Sequence, residues 1–79
     1  MMELTDQDYE ALKPYRTDIY NSARLGSVSN TSPFFVMAEI KKLRTGENVN
    51  GLCPSCVLNL YREFWQLISD YETKQVFEK

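Results

Sequence analysis

The two cysteines, Cys53 and Cys56, are the side chains of this sequence best suited to chemistry. Pro54 and Ser55 separate them, and an apolar pattern typical of a helix begins directly afterwards. A thiolate at the N-terminus of a helix is stabilised by the helix dipole and by free N–H groups, which lowers its pKa. Three hypotheses follow from this spacing: a redox pair, half of a zinc site, or the ordinary beginning of a helix.

A short sequence resemblance supports the redox hypothesis. Residues 53–56 resemble the active site of thioredoxin and glutaredoxin proteins, where a Cys-Pro-x-Cys stretch also opens a helix. The resemblance implies a thiol redox role. Those folds surround the motif with a sheet, however, and this chain of 79 residues has no pattern typical of strands.

Zinc binding is the second hypothesis for Cys53 and Cys56. Structural zinc takes four ligands from cysteine or histidine, and this chain has no histidine and no third cysteine. Two copies of the chain would supply four thiolates, so zinc would be held across a homodimer. In the third hypothesis Cys53 is a small, buried apolar group, with Cys56 beside it, near the start of the helix.

Composition and charge exclude several classes of function. Without histidine, the chain lacks the side chain best suited to acid–base catalysis at neutral pH, and it has no glycine-rich phosphate loop. We therefore predict a protein that is not an enzyme, with no catalytic residues and, zinc aside, no cofactor. The net charge of −2 is spread without a basic patch, which disfavours nucleic-acid binding. The apolar runs are too short to span a membrane and the N-terminus is unlike a secretory signal, so we expect a cytoplasmic protein.

Helical periodicity predicts the elements that position these residues. A first helix is expected over about 6–24, capped by Thr5, ended by Gly26, and kinked or broken near Pro14. Two shorter helices are the alternative there. A second helix is expected over 33–44, capped by Ser32, with an apolar stripe of Val36, Met37, Ile40 and Leu43.

The third helix, over 54–72, has the clearest pattern. Its apolar residues cover an arc of about 180°, wider than the edge of a small domain requires. This helix therefore packs against both of the others or offers one flank to a partner. The predicted fold class is a single all-α domain over 1–79, with three or four helices, a long C-terminal helix and a frayed C-terminal tail.

Aromatic residues suggest where a partner binds. Ten aromatic side chains are more than three short helices can bury completely. Exposed rings are common anchors of protein interfaces, although partial exposure also occurs without one. The candidates for partner binding are Phe34, Phe35, Trp65 and Phe77. We therefore expect a protein-interaction or self-association module.

Four short motifs resemble a group of small uncharacterised proteins from phages and prophages of gut Bacteroidetes. They are Leu-Thr-Asp-x-Asp-Tyr at 4–9, Leu-Lys-Pro-Tyr at 12–15, Thr-Gly at 45–46, and Cys-x-x-Cys followed by Val-Leu-x-Leu at 53–60. The resemblance implies a helical protein of a phage or mobile element and carries no activity or site residues. Trp65 departs from the group, in which glycine is usual at this place in the last helix.

Overall fold

The computed structural model of the protein describes residues 3–28 and 31–77, with the side chains of these residues except Phe77. Within this part the chain is all-α and contains no strand, which confirms the predicted fold class. The elements are α1 (Asp6–Leu12), a 3₁₀ turn (Lys13–Tyr15), α2 (Arg16–Leu25), α3 (Ser32–Thr45) and α4 (Pro54–Phe77).

The first predicted helix begins as expected and is interrupted near Pro14. The Thr5 hydroxyl accepts a hydrogen bond from the Asp8 N–H at 3.2 Å, and the Asp8 carboxylate accepts one from the Thr5 N–H at 3.2 Å. These two bonds form a capping box, which satisfies N–H groups that a helix start leaves unpaired. Pro14 lies in the 3₁₀ turn that separates α1 from α2.

The other helix ends follow local chemistry, with two differences. Gly26 and Gly46 end α2 and α3 with φ angles of 74° and 77°, a left-handed conformation that glycine adopts without a Cβ clash. The cap of α3 is Thr31 and not the predicted Ser32, which lies inside the helix. Helix α4 begins at Pro54 as expected, but it continues five residues beyond the predicted end, to Phe77.

The core lies between α4 and the other helices, and its largest interface joins α2 to α4. Its buried apolar residues are Leu4, Leu12, Ile19, Met37, Ile40, Leu60, Tyr61, Phe64 and Ile68. Leu43 is not among them: its side chain is 77% exposed, so the predicted apolar stripe of α3 ends at Ile40. No helix in the described part of the chain is long and apolar enough to cross a membrane.

A polar cluster joins the far end of α4 to the first part of the chain. The Arg16 guanidinium donates two hydrogen bonds to the Glu72 carboxylate, at 2.6 and 2.8 Å, and the Tyr9 hydroxyl donates a third at 2.6 Å. Tyr9 also stacks on Tyr71, with ring centroids 4.5 Å apart. The hydroxyl of Tyr71 donates a hydrogen bond to Asp6. The last turns of α4 are therefore held against α1 and α2.

Candidate functional site

An apolar groove opens where α3 and α4 begin, beside the end of α2. Its volume is about 680 Å³, within the usual range for ligand-binding sites. The described residues that line it come from three segments: Gly26, Ser27, Val28 and Thr31, then Phe34 and Phe35, then Gly51, Leu52, Pro54, Ser55, Val57 and Leu58. None of these side chains is charged.

Two of the predicted partner-binding residues, Phe34 and Phe35, lie together in this groove. Their rings meet edge to face, with centroids 5.7 Å apart. Phe34 is partly buried against the core, whereas the Phe35 side chain is 68% exposed. One ring is therefore held by the fold, and the other presents its surface to solvent.

Leu52 also lines the groove and, like Phe35, is exposed; we call these two side chains the lips of the groove. Sequence analysis did not identify Leu52. Its side chain is 93% exposed, more than any other large apolar residue among those described. It follows the Asn50-Gly51 turn, in which the Asn50 side-chain carbonyl accepts the Leu52 N–H at 2.9 Å. The only sequence signal was this turn, since apolar periodicity says nothing about a single residue in a loop.

The first turns of α4 contribute Val57 and Leu58 to the groove. Both are partly exposed, whereas Leu60, Tyr61 and Phe64 further along the helix are buried. The wide apolar arc of α4 therefore has two roles. Its residues further along the helix face the core, whereas those in its first turns line the groove.

Trp65 lies away from the groove, on the face of α4 that contacts α2. Its ring is 4.7 Å from that of Tyr20 between centroids, and the Arg16 guanidinium lies 5.1 Å above it. A small cleft of about 170 Å³ borders it. The fourth predicted partner-binding residue, Phe77, has its side chain outside the described part of the structure.

Cys53 caps α4. Its sulfur accepts a hydrogen bond from the Cys56 N–H at 3.3 Å, and its carbonyl accepts the Val57 N–H at 3.0 Å. Both cysteines are free thiols and partly exposed. A hydrogen bond from the Cys56 thiol, with the Cys56 backbone N–H, holds the pKa of Cys53 below its usual value, and the same thiol contact raises the pKa of Cys56.

In the part of the chain that the structure describes, the two thiols do not belong to a larger cluster of metal ligands. Among the described residues there is no group of three or more cysteine, histidine, aspartate or glutamate side chains able to hold a metal ion. Zinc held between the cysteine pairs of two chains stays a prediction.

The groove and the thiol pair occupy the same end of the molecule, because both are built on the first turn of α4. Pro54 and Ser55, which separate the cysteines, line the groove, while neither sulfur-bearing residue does. Comparisons of the chain with protein-family models, with curated proteins and with solved structures found no match.

Proposed function

We propose that this protein is a non-enzymatic interaction module whose groove binds a short, apolar, uncharged segment of a partner protein. The observation that carries the proposal is the pair of exposed lips, Phe35 and Leu52, on an apolar groove of about 680 Å³. Large exposed apolar side chains around a concave surface are typical of interaction sites.

The size of the groove favours a short segment over a second copy of the chain. A stable dimer interface covers about 800 Å² and about 20–30 residues on each partner. Only about a dozen described residues line this groove. A surface of that size can hold the few anchoring side chains of a peptide, but it is smaller than the interface of a stable dimer.

The chemistry of the lining defines the partner. Because the described lining has no charged side chain, a charged group on the partner would lose hydration without gaining an ion pair. Phe34 and Phe35 offer ring faces and edges to another aromatic or aliphatic side chain. Ser27, Thr31 and Ser55 provide hydroxyls for hydrogen bonds with the partner's backbone.

The same lining supports the non-enzymatic part of the proposal. Among the described residues that line the groove, no carboxylate accompanies the hydroxyls of Ser27, Thr31 and Ser55, and the sequence has no histidine. A hydroxyl needs an adjacent base to act as a nucleophile.

The proposal includes a cytoplasmic location and an origin in a phage or mobile element. A cytoplasmic location is consistent with two free cysteines, since thiols stay reduced there. The resemblance in residues 4–9, 12–15, 45–46 and 53–60 supports a phage or mobile-element origin.

Selection from a library of short random peptides tests the proposal. We expect the full chain to enrich peptides with aromatic and aliphatic anchors and without charge between them. Leu52→Asp and Phe35→Asp each place a carboxylate on one lip. Each should lower the affinity for the selected peptides at least about tenfold, because the carboxylate would lose its hydration on binding. Leu43→Asp is the matched control, since the exposure of Leu43 lies between those of Phe35 and Leu52 but Leu43 lies on α3 outside the groove.

Two results would overturn the proposal. In the first, selected peptides bind both lip variants as tightly as they bind the wild-type chain. In the second, sedimentation finds a wild-type dimer that Leu52→Asp or Phe35→Asp converts to a monomer, in which case the groove is covered by a second copy.

A further inference from the structure

Cys53 and Cys56 form a second cluster, which the groove does not use. We propose that they are a redox-active dithiol that exchanges with small polar disulfides, with Cys53 as the attacking sulfur and Cys56 as the resolving one. This inference does not depend on the proposed function, because neither cysteine lines the groove.

The capping geometry brings the two sulfurs within bonding reach. The Cys53 sulfur lies 3.3 Å from the backbone nitrogen of Cys56, and the Cys56 sulfur is three covalent bonds from that nitrogen. A disulfide requires Cβ atoms about 3.5–4.5 Å apart, and the capping contact places the Cys53 sulfur beside the residue that carries the second thiol.

The surroundings distinguish the roles of the two thiols. Cys53 accepts hydrogen bonds and occupies the cap of a helix of 24 residues, where negative charge on sulfur is stabilised. Contact with Cys53 raises the pKa of Cys56, so Cys56 holds its proton more tightly than Cys53 does. Cys53 is therefore the sulfur that more readily becomes a thiolate.

A cleft beside Cys56 gives small polar molecules access to the pair. It has a volume of about 340 Å³, and its polar lining combines Asn48, Asn50 and Asn59 with Lys41, Glu47 and Glu63. Lys41 is paired with both glutamates, so the cleft offers amide and carboxylate groups. Both cysteines are themselves partly exposed. The disulfide of a small peptide-like thiol carries amide and ammonium groups, which can form hydrogen bonds with these side chains.

The exchange balances in two steps. The Cys53 thiolate attacks one sulfur of the small disulfide, so that a mixed disulfide forms, the original S–S bond breaks and one small thiolate leaves and takes up a proton. Cys56 then loses its proton and attacks the Cys53 sulfur, which forms the Cys53–Cys56 bond and releases the second small thiol. The cysteine pair loses two electrons and two protons, and the small disulfide gains them.

Intact-mass measurements in glutathione buffers test the inference on the full, metal-free chain. We expect the reduced monomer to convert to a monomer lighter by two hydrogens as the proportion of oxidised glutathione rises. Cys56→Ser should accumulate a mixed disulfide at Cys53. Cys53→Ser should react at least about threefold more slowly with the same disulfide, because Cys56 lacks the cap position at which a backbone N–H hydrogen bond stabilises a thiolate.

Both variants are suited to the test because the fold should survive them. Serine is itself a good helix cap, so Cys53→Ser keeps an acceptor for the Cys56 N–H. Ser55→Ala is the control, as it changes the residue between the cysteines and leaves both thiols. The inference is overturned if the wild-type chain remains reduced in a large excess of oxidised glutathione, if oxidation joins two chains instead, or if both single variants react at the same rate.

Discussion

Gly51 allows the ring of Phe34 to lie against the backbone of the loop that precedes α4. A Cβ atom at this glycine would meet Cε2 and Cζ of Phe34 at 3.3 and 3.4 Å. Such contacts are tight, so the ring would have to move by a few tenths of an ångström. Because Phe34 contacts Phe35 edge to face, the displacement would reach the exposed lip of the groove.

Gly51→Ala should therefore weaken peptide binding more than it destabilises the fold. We expect a loss of about 1 kcal/mol in affinity, about fivefold, with a smaller change in the free energy of unfolding. Calorimetric titration with a selected peptide and urea denaturation measure the two quantities. Unchanged affinity in a folded Gly51→Ala variant would mean that Phe34 does not shape the binding surface.

Gly46→Ala is the matched control for this residue. A Cβ there would meet nothing within 4 Å, but its φ of 77° is strained for any residue with a side chain. We expect about 1 kcal/mol of destabilisation and no change in peptide affinity.

At the scale of the elements, the contact of Arg16 and Tyr9 with Glu72 holds the end of α4 against the start of the chain. The Arg16 hydrogen bonds keep the pKa of Glu72 below its usual value of 4.5, more strongly than burial raises it, and the Tyr9 hydroxyl adds to the lowering. A carboxyl with a lowered folded-state pKa stabilises the fold fully above its unfolded value. That contribution disappears as the pH falls through the lowered value.

Glu72→Gln should therefore be destabilising at neutral pH and nearly neutral in acid. The side chains of Arg16 and Glu72 are 43% and 29% exposed, so screening by solvent limits the loss to about 1 kcal/mol. Urea denaturation at a series of pH values should show the difference from wild type shrinking below 4.5. Glu39→Gln, an exposed carboxylate on α3, provides a control with the same change in net charge. A Glu72→Gln difference that persists in strong acid would contradict the ionic origin of the contact.

Element ends were predictable, because they depend on residues within one turn. The cap at Thr5, the break at Pro14, the glycine ends at Gly26 and Gly46, and the start at Pro54 all follow from local backbone chemistry. The true end of α4 was missed because no glycine or proline follows residue 72 to stop the helix.

The groove was only partly predictable, because it depends on how distant segments pack. Phe34 and Phe35 were recognised because three short helices cannot bury all ten aromatic side chains. The exposure of Leu52 and Leu43, and the contact of Trp65 with Arg16, depend on which helix covers which face. No local pattern contains that information.

At the scale of the whole molecule, several buried or hydrogen-bonded groups hold their protons more tightly than they would in the unfolded chain. The hydrogen bond to Asp6 raises the pKa of Tyr71 from 10.0 to about 12, the bond to Glu72 raises that of Tyr9, and burial raises that of Tyr61. The bond to Glu63 likewise raises the pKa of Lys41 above 10.5. As the pH rises past these ordinary values, the unfolded chain loses its protons first, so the folded state loses stability.

The protein should therefore lose stability in alkali, beginning above pH 10.0 and continuing toward the raised pKa of about 12 for Tyr71. Urea midpoints followed by far-UV circular dichroism, which does not depend on tyrosine ionisation, measure the loss. Tyr71→Phe should make the free energy of unfolding fall less steeply with pH, because the variant lacks the Tyr71 hydroxyl whose proton loss favours unfolding. A free energy of unfolding that stays constant well above pH 10.0 would contradict the expectation.

The loop over residues 46–53 is tied to the rest of the protein along its length. Lys41 forms ion pairs with Glu47 in the loop and Glu63 on α4, at 3.3 and 2.9 Å. The backbone and side-chain carbonyls of Asn50 accept hydrogen bonds from the Cys53 and Leu52 N–H groups, which hold the turn that carries Leu52. In the proposed complex, the backbone that carries Leu52 would therefore be ordered before a partner binds, and little backbone entropy would be lost on binding. Complex formation should then be a single kinetic step, with an observed rate that rises linearly with partner concentration and no plateau from a slow rearrangement of the protein.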